Sequence, residues 1–238
     1  MARKNSPPWF ETLEDDIWLR PDEMGSEEAA FIKEALRLRK GQAVLDAPCG
    51  AGRIAVHLAQ AGCLMTGIDL RPSFIDRACQ RFRRERVPGN FSVRDLRDLQ
   101  FVGAFHGIYN WFSSFGYFSE GENLQVLEGY FRALRSGGRL LIDQLNRERI
   151  LRKFVAERQD GAILTRNIWE ERTQRLEARR IIDGTENPKN RSSIRLYTLG
   201  QMSDLFKRVG FAVEAVYGSI EGEAYCRSSR QMLVVGRK

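Results

Sequence analysis

The chain has 238 residues, enough for one domain of ordinary size or one domain carrying an insertion, and either can bury a real core. Hydrophobic residues make up 42% and charged residues 29%, which excludes a disordered polar chain, and the net charge of +7 comes from arginines interleaved with acids, so charge alone assigns no partner. No stretch approaches the roughly 18 consecutive apolar residues of a membrane span, and Met1-Ala2-Arg3-Lys4 has no apolar core behind it, so no secretory signal is expected.

From Gly41 onward, short apolar runs alternate with amphipathic stretches, the pattern of βαβ units and a parallel sheet. Residues 43–46 read as a first strand, followed by a Gly-rich turn and a helix over 52–61 that Gly62 ends. Residues 64–69 form a second strand. Pro72 and Ser73 open a helix in which Phe74, Ile75, Ala78 and Phe82 recur at helical spacing. Residues 91–93 and 107–110 are short third and fourth strands. A helix carrying Leu124, Leu127, Tyr130, Phe131 and Leu134 runs to Gly137-Gly138, and 139–143 is a fifth strand.

The rhythm then changes. Residues 162–170 and 174–183 alternate as antiparallel strands, and 191–197 reads as another. A helix over 200–209, Gly210, and strands at 211–217 and 231–236 close the chain. The expected division is an N-terminal helical segment over 1–40, a core of 41–145 with 198–238, and an antiparallel β insertion over 146–197.

In Val44-Leu45-Asp46-Ala47-Pro48-Cys49-Gly50-Ala51-Gly52-Arg53 a strand runs into glycines and then a helix. Glycines admit close backbone approach and dihedrals closed to other residues, and the helix start offers unpaired N–H groups. Asp69 ends the next strand, at roughly the 20-residue spacing where an acid meets ribose hydroxyls in dinucleotide folds. Four cysteines without a Cys-x-x-Cys pair and two histidines, His57 and His106, make a zinc cluster improbable; no metal is expected, and a reduced cytoplasmic protein is the simple reading.

Asp46-x-Pro48-x-Gly50-x-Gly52 resembles motif I of the class I S-adenosylmethionine-dependent methyltransferases, with Pro48 in place of the usual first glycine. Thr66-Gly67-Ile68-Asp69-Leu70 resembles the post-I motif, and Val93-Arg94-Asp95-Leu96 the adenine-binding motif. The resemblance implies an α/β Rossmann-like fold: a seven-stranded, mostly parallel sheet with an antiparallel last strand, helices on both faces, and an antiparallel β lid inserted after strand 5. It implies S-adenosyl-L-methionine as cofactor, with Asp46, Ala47, Pro48, Cys49, Gly50 and Gly52 at the methionine moiety, Asp69 at the ribose diol, Leu70 beside it among the cofactor-binding residues, Asp95 and Leu96 at adenine, and Asn110 near the methionine portion. A rival pattern, Gly50-x-Gly52-x-x-Ala55, fits nicotinamide dehydrogenases, but Asp46 and Pro48 intervene where those place glycines directly after the strand.

Methyl transfer to an unprotonated nucleophile needs positioning more than acid–base chemistry, and no catalytic residue is assigned. The aromatic run 109–118 follows the fourth strand, where the family places the transferring methyl. Trp111 and Tyr117 are expected at the acceptor pocket, with Phe112 and Phe115 divided between pocket and core. Trp9-Phe10 and Ile17-Trp18 resemble the N-terminal helical lid of small-molecule methyltransferases, and Asn146, Arg195 and Tyr197 are further candidate contacts from the insertion, whose strands are equally suited to a dimer surface. The expected acceptor is nitrogen or oxygen of a small molecule, in a monomer or homodimer without membrane partners. A nucleic-acid (RNA) methyltransferase and a non-catalytic S-adenosylmethionine-binding protein are the alternatives.

Overall fold

The computed structural model describes residues 9–12, 15 and 22–238; Ile17 and Trp18 lie outside them. The central sheet has the order β10-β11-β5-β4-β1-β2-β3. Its members are β1 (Ala43–Asp46), β2 (Leu64–Asp69), β3 (Gly89–Val93), β4 (Phe105–Asn110), β5 (Leu134–Leu145), β10 (Ala212–Tyr217) and β11 (Gln231–Arg237). Strands β3, β2, β1, β4 and β5 pair in parallel, and β11 runs antiparallel to both β5 and β10. The expected sheet is thus present, with its antiparallel last strand.

Buried parallel strands need apolar residues on both faces, and β1, β4 and β5 supply them. On one face, α2 (Gly25–Ala35), α3 (Ala55–Gln60) and α4 (Pro72–Arg84) are represented by Ile32, Val56, Leu58 and Phe82 in one core. On the other, α5 (Glu120–Ala133) and α7 (Leu199–Val209) bury Leu127, Tyr130, Met202 and Phe206. Capping boxes start both of the latter: Ser119 with Glu122, and Thr198 with Gln201. Gly210 at φ 109° ends α7 in the left-handed conformation.

Several boundaries differ from expectation: β3, β4 and β5 start earlier, and β9 spans Thr185–Arg195 where 191–197 was expected. Helix α3 starts at Ala55 because Gly50 and Gly52 take φ of 51° and 71°, which no helix continues through. Helix α5 stops at Ala133, since Leu134 is extended and pairs with Phe105 as the first residue of β5. The insertion carries a fourth strand, β6 (Glu157–Asp160), and a short α6 (Arg147–Arg152) before β7 (Ile163–Glu170), β8 (Arg175–Ile182) and β9 (Thr185–Arg195). These strands form a separate antiparallel sheet in the order β6-β7-β8-β9. Exposed Glu-Arg-Gln-Asp on β6 shows no apolar alternation, so periodicity could not reveal it. Among the described residues no helix is long and apolar enough to cross a membrane.

Register gathers the chemistry at one edge. Asp46 lies opposite Gly67 and Tyr109, Asp69 opposite Val93, and Asn110 opposite Ile142. The carboxyl ends of β1, β2, β4 and β5 therefore open together, the place where wound α/β sheets bind ligands.

Candidate functional site

A cleft at this edge is lined by the 46–54 loop, the end of β2, residues 94–96, the start of α4, and the loop that follows β4. Of the eleven residues expected at the cofactor, Asp46, Pro48, Cys49, Gly50, Asp69, Leu70, Asp95 and Leu96 line it. The loop that carries them has a cis Ala47–Pro48 peptide. Ala47, Gly52 and Asn110 do not line the cleft and stand behind it. The Asn110 Nδ2 donates to the Ala47 carbonyl at 3.0 Å and to the Tyr130 hydroxyl at 2.9 Å, while that hydroxyl donates to the same carbonyl at 2.8 Å. Asn110 is fully buried and braces the loop from the core side. A Cβ at Gly52 would press on Ala78 of α4 at 3.2 Å, so this glycine serves helix approach.

The acids differ in their surroundings. Asp69 accepts the Gly50 amide at 2.9 Å on one carboxylate oxygen and the Arg71 amide at 3.0 Å on the other. Burial raises its pKa, and those two amides pull against the rise. Asp46 is more extreme: burial lifts its pKa well above the ordinary carboxylate range, the Tyr109 hydroxyl counters, and the Asp69 charge adds to the rise. That hydroxyl faces Asp46 without full hydrogen-bond geometry. Burial also pushes the Cys49 thiol well up, so it is no thiolate nucleophile. Asp95 is held by Arg97, whose amide donates at 2.8 Å and whose guanidinium donates at 2.6 Å; burial raises the Asp95 pKa, but Arg97 outweighs it and the net shift is down. Arg97 is bound on its other side by Glu122 at 2.7 Å.

These groups fit the adenosyl cofactor. Each Asp69 oxygen accepts one amide and keeps lone-pair capacity for a ribose hydroxyl. A Cβ on Gly50 would meet no atom within 4 Å, so the cleft side of the loop is open at that point. Burial raises the pKa of both Asp46 and Asp69, Arg53 and Arg71 offset that only in part, and a sulfonium or an amino-acid ammonium in the cleft would favour their ionised forms.

The far wall is the loop 111–118. Trp111, Phe112, Ser114, Tyr117 and Phe118 line the cleft, and Phe115 is core, with 2% of its surface exposed. Phe10 of α1 (Trp9–Thr12) also lines it, and Trp9 packs edge-on against Tyr117 with ring centroids 4.7 Å apart. Three consecutive residues at the end of β5 hold this loop: Asp143 accepts the Phe112 amide at 2.9 Å, Gln144 donates to the Phe115 carbonyl at 3.3 Å, and the Leu145 amide donates to the Ser113 hydroxyl at 3.0 Å. From the inserted sheet, the Arg175 guanidinium donates to the carbonyls of Gly116, Tyr117 and Phe118 at 3.1, 2.9 and 3.0 Å.

The insertion's candidate contacts are elsewhere. Asn146 caps α6, accepting the Glu148 and Arg149 amides, and donates to the Ser229 and Cys226 carbonyls. Arg195 pairs with Glu120 and lies 4.4 Å over the Tyr197 ring, and the Tyr197 hydroxyl donates to Glu120 at 3.0 Å. None of the three lines the cleft; they join the insertion to the core. His106 accepts the Ala43 amide and meets Arg135, at the opposite end of β4 from the cleft.

Cleft residues that sequence reasoning missed include Arg53, Arg71, Arg81 and Arg94. Arg53 pairs with Glu28 of α2, and Arg71 with Asp15 at 2.6 Å. Arg81 was legible in principle: it stands three residues beyond Ala78 and seven beyond Phe74, on the buried stripe of α4.

Residues 44–138 match the family described as methyltransferase domain. Among curated relatives, an S-adenosyl-L-methionine-dependent Diels-Alderase of Talaromyces variabilis is 28% identical over 116 residues, 47% of this chain and 39% of that protein. The matched stretch thus spans less than half of that relative. Among solved structures, the CcbJ methyltransferase of Streptomyces caelestis superimposes with a TM-score of 0.80 at 15% identity, covering 98% of this chain and 99% of that one. The 1,6-didemethyltoxoflavin-N1-methyltransferase of Burkholderia thailandensis, solved with its substrate and S-adenosylhomocysteine, gives a TM-score of 0.61 at 17% identity, covering 94% and 81%. With the acid–glycine loop of β1 and the acid ending β2 inside it, the stretch 44–138 matches the methyltransferase domain, and the whole chain shares the fold of solved S-adenosylmethionine-dependent methyltransferases.

Proposed function

We propose that this protein transfers the methyl group of S-adenosylmethionine to nitrogen or oxygen of a small-molecule acceptor. The observation that carries the reading is the continuity of one cleft, from the Asp46–Asp69 acids to the aromatic wall of Trp111, Phe112 and Tyr117. When bound, the cofactor supplies an electrophilic methyl on a sulfonium. The chain's own work is binding and orientation. Asp69 holds the ribose hydroxyls, and Asp46 compensates positive charge at the methionine end. Leu96 and the Asp95–Arg97 unit border adenine. The aromatic rings present an apolar or cationic acceptor by face contact and keep water from the sulfonium.

Within the proposed lid segment 1–40, Trp9 and Phe10 against Tyr117 cover the acceptor side, and the insertion 146–197 backs it by holding the wall through Arg175. A small acceptor is favoured over RNA because the insertion's charges pair locally: Arg158 with Asp160, Arg166 with Glu157, and Arg191 with Glu186. The Burkholderia relative by fold acts on a small heterocycle. A reduced cytoplasmic setting suits the free thiols of Cys49, Cys63, Cys79 and Cys226.

The test is calorimetric binding of S-adenosylhomocysteine, followed by release of that product from labelled S-adenosylmethionine with panels of amines and hydroxyl compounds. Turnover with one panel is expected. Tight cofactor binding with product formation from RNA alone, or with an acceptor converted but never methylated, would replace the reading.

A further inference from the structure

Among the residues that hold the wall loop, Asp143 stands out because it is a fully buried carboxylate outside the cofactor set. One oxygen accepts the Phe112 amide at 2.9 Å and the other accepts the Gln231 side-chain amide of β11 at 3.1 Å. What it holds is unusual: Phe112 and Ser113 follow one another at φ 61° and 55°, a left-handed pair that non-glycine residues rarely adopt. The reason to maintain it is visible in the ring. Phe112 lines the cleft and is 38% exposed, whereas its neighbours Trp111 and Phe115 are buried.

We propose that Asp143 is a positioning residue for the acceptor: through the Phe112 amide it holds the left-handed pair that presents the Phe112 ring to the cleft. The assignment of this ring to the acceptor side rests on the methyl-transfer reading; the coupling of Asp143 to Phe112 does not. Two further anchors of the same turn, the Leu145 amide on Ser113 and the Ser114 hydroxyl on the Trp111 carbonyl, flank the Asp143 contact but leave the Phe112 amide to it.

Asp143 is surrounded by few charges. Gln231 is its neutral partner on β11, and on α2 the Glu28 carboxylate repels it while itself bound by Arg53 of the cofactor loop. Burial, with Glu28 adding to it, raises the Asp143 pKa to about 7 against the pull of Phe112 and Gln231. Protonation and ionisation therefore exchange in the neutral range, and the acceptor strength offered to the Phe112 amide changes with them.

The test places 4-fluorophenylalanine at position 112 in the full chain and records its fluorine resonance in the wild-type background, Asp143→Ala and Asp143→Asn. Asparagine keeps an oxygen for the Phe112 amide, and Gln231 turned end for end accepts from its NH2. Expected results are a displaced resonance in Asp143→Ala, a near-wild-type resonance in Asp143→Asn at low pH, and a wild-type resonance that titrates near pH 7 while that of Asp143→Asn stays flat. S-adenosylhomocysteine affinity should remain within about twofold wherever the variant folds, because Asp143 lies outside the cofactor cleft. A resonance at 112 that does not titrate, or one that Asp143→Asn displaces as far as Asp143→Ala, overturns the proposal. If Asp143→Ala fails to fold, the Asp143→Asn comparison and the titration decide alone. Absence of S-adenosylhomocysteine binding in the wild type removes the methyltransferase reading and leaves this coupling to be judged on the resonance.

Discussion

The Gly50 amide donates to the Asp69 carboxylate at 2.9 Å, so the glycine loop of β1 and the acid that ends β2 are one hydrogen-bonded unit. Removing the acid therefore unties the loop and, on the proposed reading, strips the ribose site with it. Asp69→Ala is expected to weaken S-adenosylhomocysteine binding by about 100-fold or more, from two charge-assisted contacts. Calorimetry checks it, and an unchanged dissociation constant rejects the ribose assignment.

Asp46 offers a proton-linkage measurement. Its folded, ligand-free pKa is raised by burial, and a bound cation would favour the ionised form. Binding of S-adenosylmethionine should then release protons, and affinity should rise with pH up to the ligand-free pKa. Calorimetry in two buffers of different ionisation enthalpy reads the release; Asp46→Asn should abolish it.

Stability should depend on pH through Asp143. Its folded pKa of about 7 lies above the unfolded value, so the native state holds the extra proton between about pH 4 and 7. This group's contribution is fully present below about pH 4 and is lost as pH rises through 7, by up to about 4 kcal/mol. Urea midpoints for the wild type and Asp143→Asn across this range should converge at low pH and separate above 7 in favour of the variant.

Arg175 gives a prediction that separates wall from cofactor. Arg175→Ala removes donors from three consecutive carbonyls and should cost about 2–3 kcal/mol of stability, with S-adenosylhomocysteine affinity within about threefold. Lysine should not rescue it, because a single ammonium cannot span the fork. Thermal melts and calorimetry on the same samples check both halves.

Most of the sheet was legible because its strands are buried on both faces and read as apolar runs between turn residues, as in Leu64–Asp69 and Gln231–Arg237. The loop acids were legible for a similar reason: Asp46 and Asp69 each stand at a strand's carboxyl end. What escaped depends on distant partners. Asn110, Asn146, Arg195 and Tyr197 carry side chains suited to ligands, but Tyr130, Ser229 and Glu120 claim them from 20 to 83 positions away, and periodicity holds no record of that. Arg53, Arg71 and Arg94 escaped because a charge at a helix start or strand end looks like any solvated charge, whereas Arg81 is marked by its place on the buried stripe of α4.

The cleft's two sides have separate supports. The loop of β1 is braced from the core by Asn110 and Tyr130, whereas the aromatic wall hangs between the tip of β5 and an inserted sheet. On the proposed reading, a graft that exchanges residues 157–195 for another antiparallel sheet would reshape substrate choice while sparing nucleoside affinity, giving engineers a handle on selectivity that does not touch the donor.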